Sequence, residues 1–166
     1  MNSFISWIGG KKLLRRQILE QFPDPGTFDR YIEVFGGAAW ILFAKEQHAK
    51  LEVYNDVNGQ LVNLFRVVKY HPEALQKELE WIFTSREQFF NAIQEVRGLT
   101  DIQRAARFFV AIKSSFGTDC RSFIVRGRDF KGAVDFLKEA SRRLNRVVIE
   151  NQDFEQLLRT YDRPEA

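Results

Sequence analysis

Two short apolar runs, one broken by a glycine pair and the other ending on an acid, constrain this chain more than any other feature. The first is YIEVFGGAAW at residues 31 to 40, and VYND follows at 53 to 56. An apolar run that stops at adjacent glycines and resumes with apolar residues reads as a strand, a tight turn and a helix; the second run reads as another strand. Gly36 and Gly37 let the backbone approach a ligand closely, and Asp56, at the end of the next strand, is placed to bind a pair of ribose hydroxyls. The pattern is half of a nucleotide-type site. Paired glycines also make tight turns with no ligand, so it is Asp56 that turns the reading towards binding.

Around this unit the N-terminal part alternates helix and strand: a helix over 11–21, a Pro-Asp-Pro-Gly turn at 23–26, a strand near 31–35, a helix over 38–47 and a strand near 51–54. Such alternation specifies a parallel α/β layer. Asn58 opens a further helix, with Leu61, Leu64, Phe65 and Val68 at spacings of three and four. From His71 the strand signal disappears, and 72–83, 85–96, 100–113 and 132–144 read as helices. Strand character returns at RVVIENQDF, 146–154, with a short helix after it. A long helical insertion thus separates the second and third strands. Three parallel strands leave two open edges and need cover on both faces, so the chain is expected to be the first part of a larger sheet.

With 166 residues, 45% hydrophobic and 28% charged, the composition is that of one folded unit with a real core. No window approaches the roughly 20 apolar residues that a bilayer requires, and the N-terminus lacks a signal-peptide pattern, so the expected compartment is the cytoplasm. The single cysteine, Cys120, has no disulfide partner and no neighbours at metal-ligand spacing. Charge is uneven. Arg97 to Arg146 holds twelve Lys and Arg against five Asp and Glu, in a chain of net charge +3. A basic block in an otherwise mildly acidic chain either solvates its helices or meets an anionic partner, nucleic acid first among them.

WIGGK at 7–11, EVFGGAAW at 33–40, VYNDVNGQLVNLFR at 53–66 and VVIENQDF at 147–154 resemble, in order and spacing, the successive motifs of the Dam-type (alpha-class) DNA adenine-N6 methyltransferases. The resemblance runs from Phe4 to the last residue. It implies an α/β, Rossmann-like methyltransferase core with a partial parallel sheet and an inserted helical DNA-recognition subdomain. The expected division is 1–70 for the cofactor-binding part, 71–145 for the insertion and 146–166 for the return to the core. The implied cofactor is S-adenosyl-L-methionine, with no metal; the implied partner is double-stranded DNA, and the product N6-methyladenine.

By the same resemblance Trp7 packs on the cofactor and Lys11 contacts it near the methionine end, as an ammonium can pair with a carboxylate. Phe35, Gly36 and Gly37 form the loop after the first strand, and Ala38 or Ala39 stands where the family frequently has a further glycine. Asp56 takes the ribose, or else caps the following helix in competition with Asn58. Asp153 either approaches the cofactor's adenine or caps the helix after the third strand. KSSFGTDCRSFIVRGR at 113–128 supplies the DNA face: Lys113, Arg121, Arg126 and Arg128 for phosphates or guanine edges, and Phe116, with Phe123, for wedging or stacking when the target base leaves the helix.

The family's catalytic Asp-Pro-Pro-Tyr does not occur among the 166 residues. The expectation is therefore the cofactor-binding and DNA-recognition part of such an enzyme, without the chemical step of its own. The alternative is a catalytically inactive DNA-binding or interaction remnant. A dehydrogenase-like dinucleotide binder fits less well, because the spaced G-x-G-x-x-G is absent. In the family the first strand lies between the second and the fourth, so YIEVF is expected to form an open edge through which two copies self-associate.

Overall fold

Three parallel strands, β1 (Arg30–Glu33), β2 (Leu51–Asn55) and β3 (Val147–Glu150), lie side by side in the order β1-β2-β3. The register sets Glu33 beside Tyr54, and Tyr54 beside Ile149. The computed structural model describes residues 1–83, 87, 91, 94, 97–115 and 130–162. Alternation along each strand divides the side chains between two faces. Tyr31, Glu33, Glu52, Tyr54, Val147 and Ile149 share the face that meets the main core, where Tyr54 stacks on Phe65 with centroids 4.1 Å apart, and Phe4 packs against both Phe65 and Phe43. The opposite face carries Val53 and is reached by α6 (Phe154–Tyr161), whose Tyr161 hydroxyl donates to Glu150 and whose Tyr161 carbonyl accepts from Arg30.

Helix α2 (Gly59–Tyr70) starts where the sequence places it. Asn58 accepts from the amides of Gln60 and Leu61, satisfying two of the donors that a helix start leaves open. Its buried residues run from Leu61 to Val68 and pack on the sheet on one side and on the helical insertion on the other. The insertion contributes α3 (Pro72–Phe83), α4 (Asp101–Ser115) and α5 (Phe130–Leu144). Pro72 occupies the first helical position, where its missing N–H costs nothing. Thr100 and Gln103 form a reciprocal capping box at the start of α4. Most of the helix expected over 85–96 falls outside the described residues.

Two expectations are corrected. The N-terminal helix is shorter than 11–21: Lys11 to Leu14 form turns, and α1 spans Arg15–Glu20. The helix expected over 38–47 is replaced by turns and a single 3₁₀ turn at Leu42–Ala44. The cause lies in the backbone. Gly37 and Ala39 have φ of 50° and 55°, left-handed values that a right-handed helix cannot include. Beside local turn bonds such as Phe43 N–H to the Ala39 carbonyl, several polar groups of this segment find distant partners. The Leu42 amide donates to Glu33 Oε2, while the carbonyls of Leu42 and Lys45 accept from Arg143 of α5, and that of Phe43 from the Met1 ammonium. Arg143 also forms a buried two-point ion pair with Glu52, at 2.7 and 2.8 Å.

Candidate functional site

The WIGGK turn, the loop after β1 and the end of β2 enclose a cleft of about 310 Å³ at the carboxyl ends of the strands. Trp7, Lys11, Phe35, Gly36, Gly37 and Asp56 all line it. These are six of the seven residues expected to bind a cofactor, drawn together from three separate motifs. Open parallel sheets bind ligands in this position, where loops leave the strand ends.

Asp56 is the hub. Its Oδ2 accepts from the Gly37 amide and its Oδ1 from the Asn58 amide, both at 2.9 Å. The cap of α2 is Asn58, whose side chain accepts from the Gln60 and Leu61 amides. Each carboxylate oxygen has a second lone-pair site, and the residue is only partly buried, so it retains acceptor capacity towards the cleft.

The two glycines act differently. A Cβ on Gly36 would lie 2.7 Å from Tyr54 Cδ2 and 2.8 Å from the Asn55 carbonyl, so the residue is small because β2 packs against it. Gly37 has positive φ, and a Cβ there would lie 3.1 Å from Trp7 Cδ1. The Tyr54 hydroxyl donates to the Gly37 carbonyl at 2.8 Å, fixing this peptide from below. Ala39, one of the two candidates for the family's missing glycine, is the one non-glycine residue with positive φ among those described. The turn therefore keeps the glycine-type backbone with a methyl added.

Lys11 Nζ donates to the Phe35 carbonyl at 2.8 Å and stands 4.0 Å from Glu33 Oε1. Glu33 is 6% exposed, and burial pushes its carboxyl up to about 7 against the attraction of Lys11 and the hydrogen bonds from Tyr31 and Leu42. Trp7 is half-buried, with its ring 5.8 Å from that of Phe108 on α4. Among the described residues the cleft thus meets the insertion through this aromatic contact.

Asp153 does not line this cleft. Its Oδ1 caps α6 by accepting from the amides of Glu155 and Gln156. The next residue, Phe154, was missed by the sequence reading: it is 48% exposed and its ring lies 6.1 Å from that of Phe35, itself 66% exposed. Asn55 was missed as well. Its amide donates to the carbonyls of Val34 and Gln152 and its oxygen accepts from the Gln152 amide, tying all three strand ends together. The Asn-Asp pair at the end of β2 was the available signal, read only for its acid.

Of the expected DNA contacts, only Lys113 is described. It is half-buried on α4 with its ammonium 5.4 Å from the Phe109 ring centroid, and burial lowers its pKa. Phe116, Arg121, Arg126 and Arg128 lie outside the described residues. A larger groove of about 930 Å³ runs between α2 and the start of α4. It gathers none of the expected residues, and its arginines are engaged, Arg66 with the Ile149 carbonyl and Arg104 with Asp101. Size therefore yields to chemistry, and the smaller cleft is the candidate site. Among the described residues no group of three His, Cys, Asp or Glu could hold a metal ion, and no helix is long and apolar enough to cross a membrane.

Residues 7–166 match the family described as D12 class N6 adenine-specific DNA methyltransferase. The type II methyltransferase M.MjaIII of Methanocaldococcus jannaschii is 31% identical over 99 residues, covering 57% of this chain and 33% of the relative. The type II methyltransferase M1.LlaDCHI of Lactococcus lactis subsp. cremoris is 27% identical over 128 residues, covering 70% of this chain and 42% of the relative. The matched stretches therefore cover only a third and about two-fifths of these relatives.

Proposed function

The chain belongs to the D12 class N6 adenine-specific DNA methyltransferase family, and on that premise we propose that its cleft holds S-adenosylmethionine for methyl transfer to adenine N6 in double-stranded DNA. The observation that carries this reading is the convergence of Trp7, Lys11, the 35–37 loop and Asp56 on one cleft. The donor set fits the group. A carboxylate with spare lone pairs suits vicinal ribose hydroxyls, an ammonium suits a carboxylate, and an aromatic face suits a sulfonium-bearing chain. Bound there, the cofactor supplies an electrophilic methyl group. Trp7 and Phe35 would flank the cofactor, Asp56 would hold its ribose and Lys11 its methionine end. Phe154 extends the aromatic wall beyond Phe35, with Asp153 beside it turned to capping α6.

In this reading the insertion, 71–145, contacts DNA through Lys113, Phe116, Arg121, Arg126 and Arg128. Action on DNA implies the cytoplasm as compartment. The edge position of β1 supports self-association through that strand, because an edge presents unpaired backbone groups to a second copy. Light scattering over a dilution series tests this last element, and a monomer at every concentration removes it.

The cofactor assignment is tested by titration calorimetry of S-adenosylmethionine into the chain and into Asp56→Ala. Measurable heat with the parent chain and its loss in the variant are expected. Equal heats for the two proteins would remove Asp56 from the site, and no heat for either would remove the cofactor reading.

A further inference from the structure

Glu33 lies directly behind Lys11, under the cleft. Its Oε2 is satisfied, accepting from the Tyr31 hydroxyl at 2.9 Å and the Leu42 amide at 3.2 Å. Its Oε1 is buried without a hydrogen bond, and the Lys11 ammonium stands 4.0 Å away. Lys11 in turn lines the cleft and is anchored on the Phe35 carbonyl. One ammonium thus stands between a buried carboxylate and the space a ligand enters.

We propose that Glu33 positions Lys11 and that the two act as a proton-linked receptor for a ligand carboxylate, which on binding at Lys11 drives a proton onto Glu33. This rests on the reading of the cleft as the S-adenosylmethionine site, and it assigns the ligand's α-carboxylate to Lys11. The physics is a competition between two anions for one cation. Before binding, Lys11 is the largest electrostatic influence holding Glu33 ionised against its burial. A ligand carboxylate pairing with the same ammonium offsets its charge as felt at Glu33, and the loss of that attraction favours the neutral acid.

The other groups facing Glu33 do not supply this response. Arg143 attracts it with a permanent charge. Tyr31 is pushed far up by burial and by Glu33 itself, and so remains a donor. Tyr54, also raised by burial, spends its hydroxyl on the Gly37 carbonyl.

The test is calorimetry of the full 166-residue chain with S-adenosylmethionine at pH 6, 7 and 8, in buffers of different ionisation enthalpy. 5′-Methylthioadenosine, which lacks the amino-acid end, is the companion ligand. Net proton uptake with S-adenosylmethionine near pH 7 is expected, with tighter binding at pH 6 than at pH 8; a one-unit shift at Glu33 gives about a tenfold change in affinity. Glu33→Gln should still bind while losing that component, and the ligand's own amine cancels between the two proteins. 5′-Methylthioadenosine should show no difference between them. Identical uptake and pH slope in parent and Glu33→Gln, or a Glu33-dependent slope of opposite sign, would overturn the proton linkage and leave the cofactor reading standing. Absence of S-adenosylmethionine binding by the parent chain would overturn both.

Discussion

The carboxylate of Asp56 and the amide of Gly37 meet at 2.9 Å across nineteen residues of sequence, so the acid at the end of β2 holds closed the turn that follows β1. A residue read as a ligand group is therefore also a structural clasp. Hydrogen bonds to a charged acceptor contribute about 1.5–3 kcal/mol each, with partly exposed ones at the low end. Asp56→Ala should lose about 2 kcal/mol of stability with no ligand present. Thermal unfolding of the ligand-free proteins checks this, and an unchanged Tm would show that the clasp contributes nothing.

The glycine pair should respond unequally to alanine. At Gly36 the added methyl meets the Tyr54 ring and the Asn55 carbonyl, neither of which can yield without moving β2, so a loss of about 3 kcal/mol is expected. At Gly37 the added methyl meets the Trp7 ring in a left-handed backbone, and about 1–2 kcal/mol is expected. Urea denaturation of both variants reads the difference. A larger loss at Gly37 than at Gly36 would contradict this packing.

Alanine to glycine substitutions give the converse comparison. Ala39 is fully buried at φ 55°, so glycine relieves about 1 kcal/mol of strain and forfeits about 0.8 kcal/mol of methyl burial, leaving stability nearly unchanged. Ala38 is equally buried without positive φ, and its glycine variant should lose about 1 kcal/mol. Equal losses in the two variants would argue against strain at Ala39.

Glu33 makes stability fall as pH rises. Its folded value of about 7 exceeds the ordinary 4.5, so the folded state binds the proton more tightly, and stability is lost as pH rises between these values. Glu33→Gln should match the parent near pH 4.5 and exceed it at pH 8 by on the order of 3 kcal/mol. Denaturation midpoints at the two pH values decide, and a variant less stable than the parent at pH 8 would mean that the ionised pair with Lys11 outweighs burial.

DNA binding should be strongly salt-dependent. Each phosphate neutralised contributes about 0.9 to the slope of log affinity against log salt, so several of the basic residues at 113–128 acting together give a slope of several units. Replacing Arg121, Arg126 and Arg128 together by alanine should flatten that slope in fluorescence anisotropy. An unchanged slope removes the basic stretch from the interface.

The strands and the cleft were legible because both rest on short-range signals: apolar runs set β1 to β3, and glycines and an acid at their ends marked the loops. The 38–47 segment was not. From Ala38 to Phe43 every residue is buried, so no polar face exists to show a period, and its backbone partners, Glu33, Arg143 and Met1, are distant in sequence. The part played by Glu33 was hidden for a related reason. Alternation in YIEVF suggests that Ile32 and Val34 face the core, whereas Tyr31 and Glu33 share the buried face, joined by one hydrogen bond. At Asp153 two readings were open, and local geometry shows the capping contacts, which no residue pattern separates from a ligand contact.

Arg143 belongs to the last turn of α5, yet its guanidinium is spent on Glu52 of β2 and on the carbonyls of Leu42 and Lys45 behind the cleft loop. Any exchange of the insertion with that of another family member would cut through this contact. A graft bounded at 71 and 145 carries the arginine away, and leaving Glu52 buried without its partner costs about 3–5 kcal/mol. Moving the proposed recognition insertion of another family member into this scaffold therefore requires a donor helix that presents an arginine at the same turn, or a recipient in which Glu52 has been made apolar beforehand.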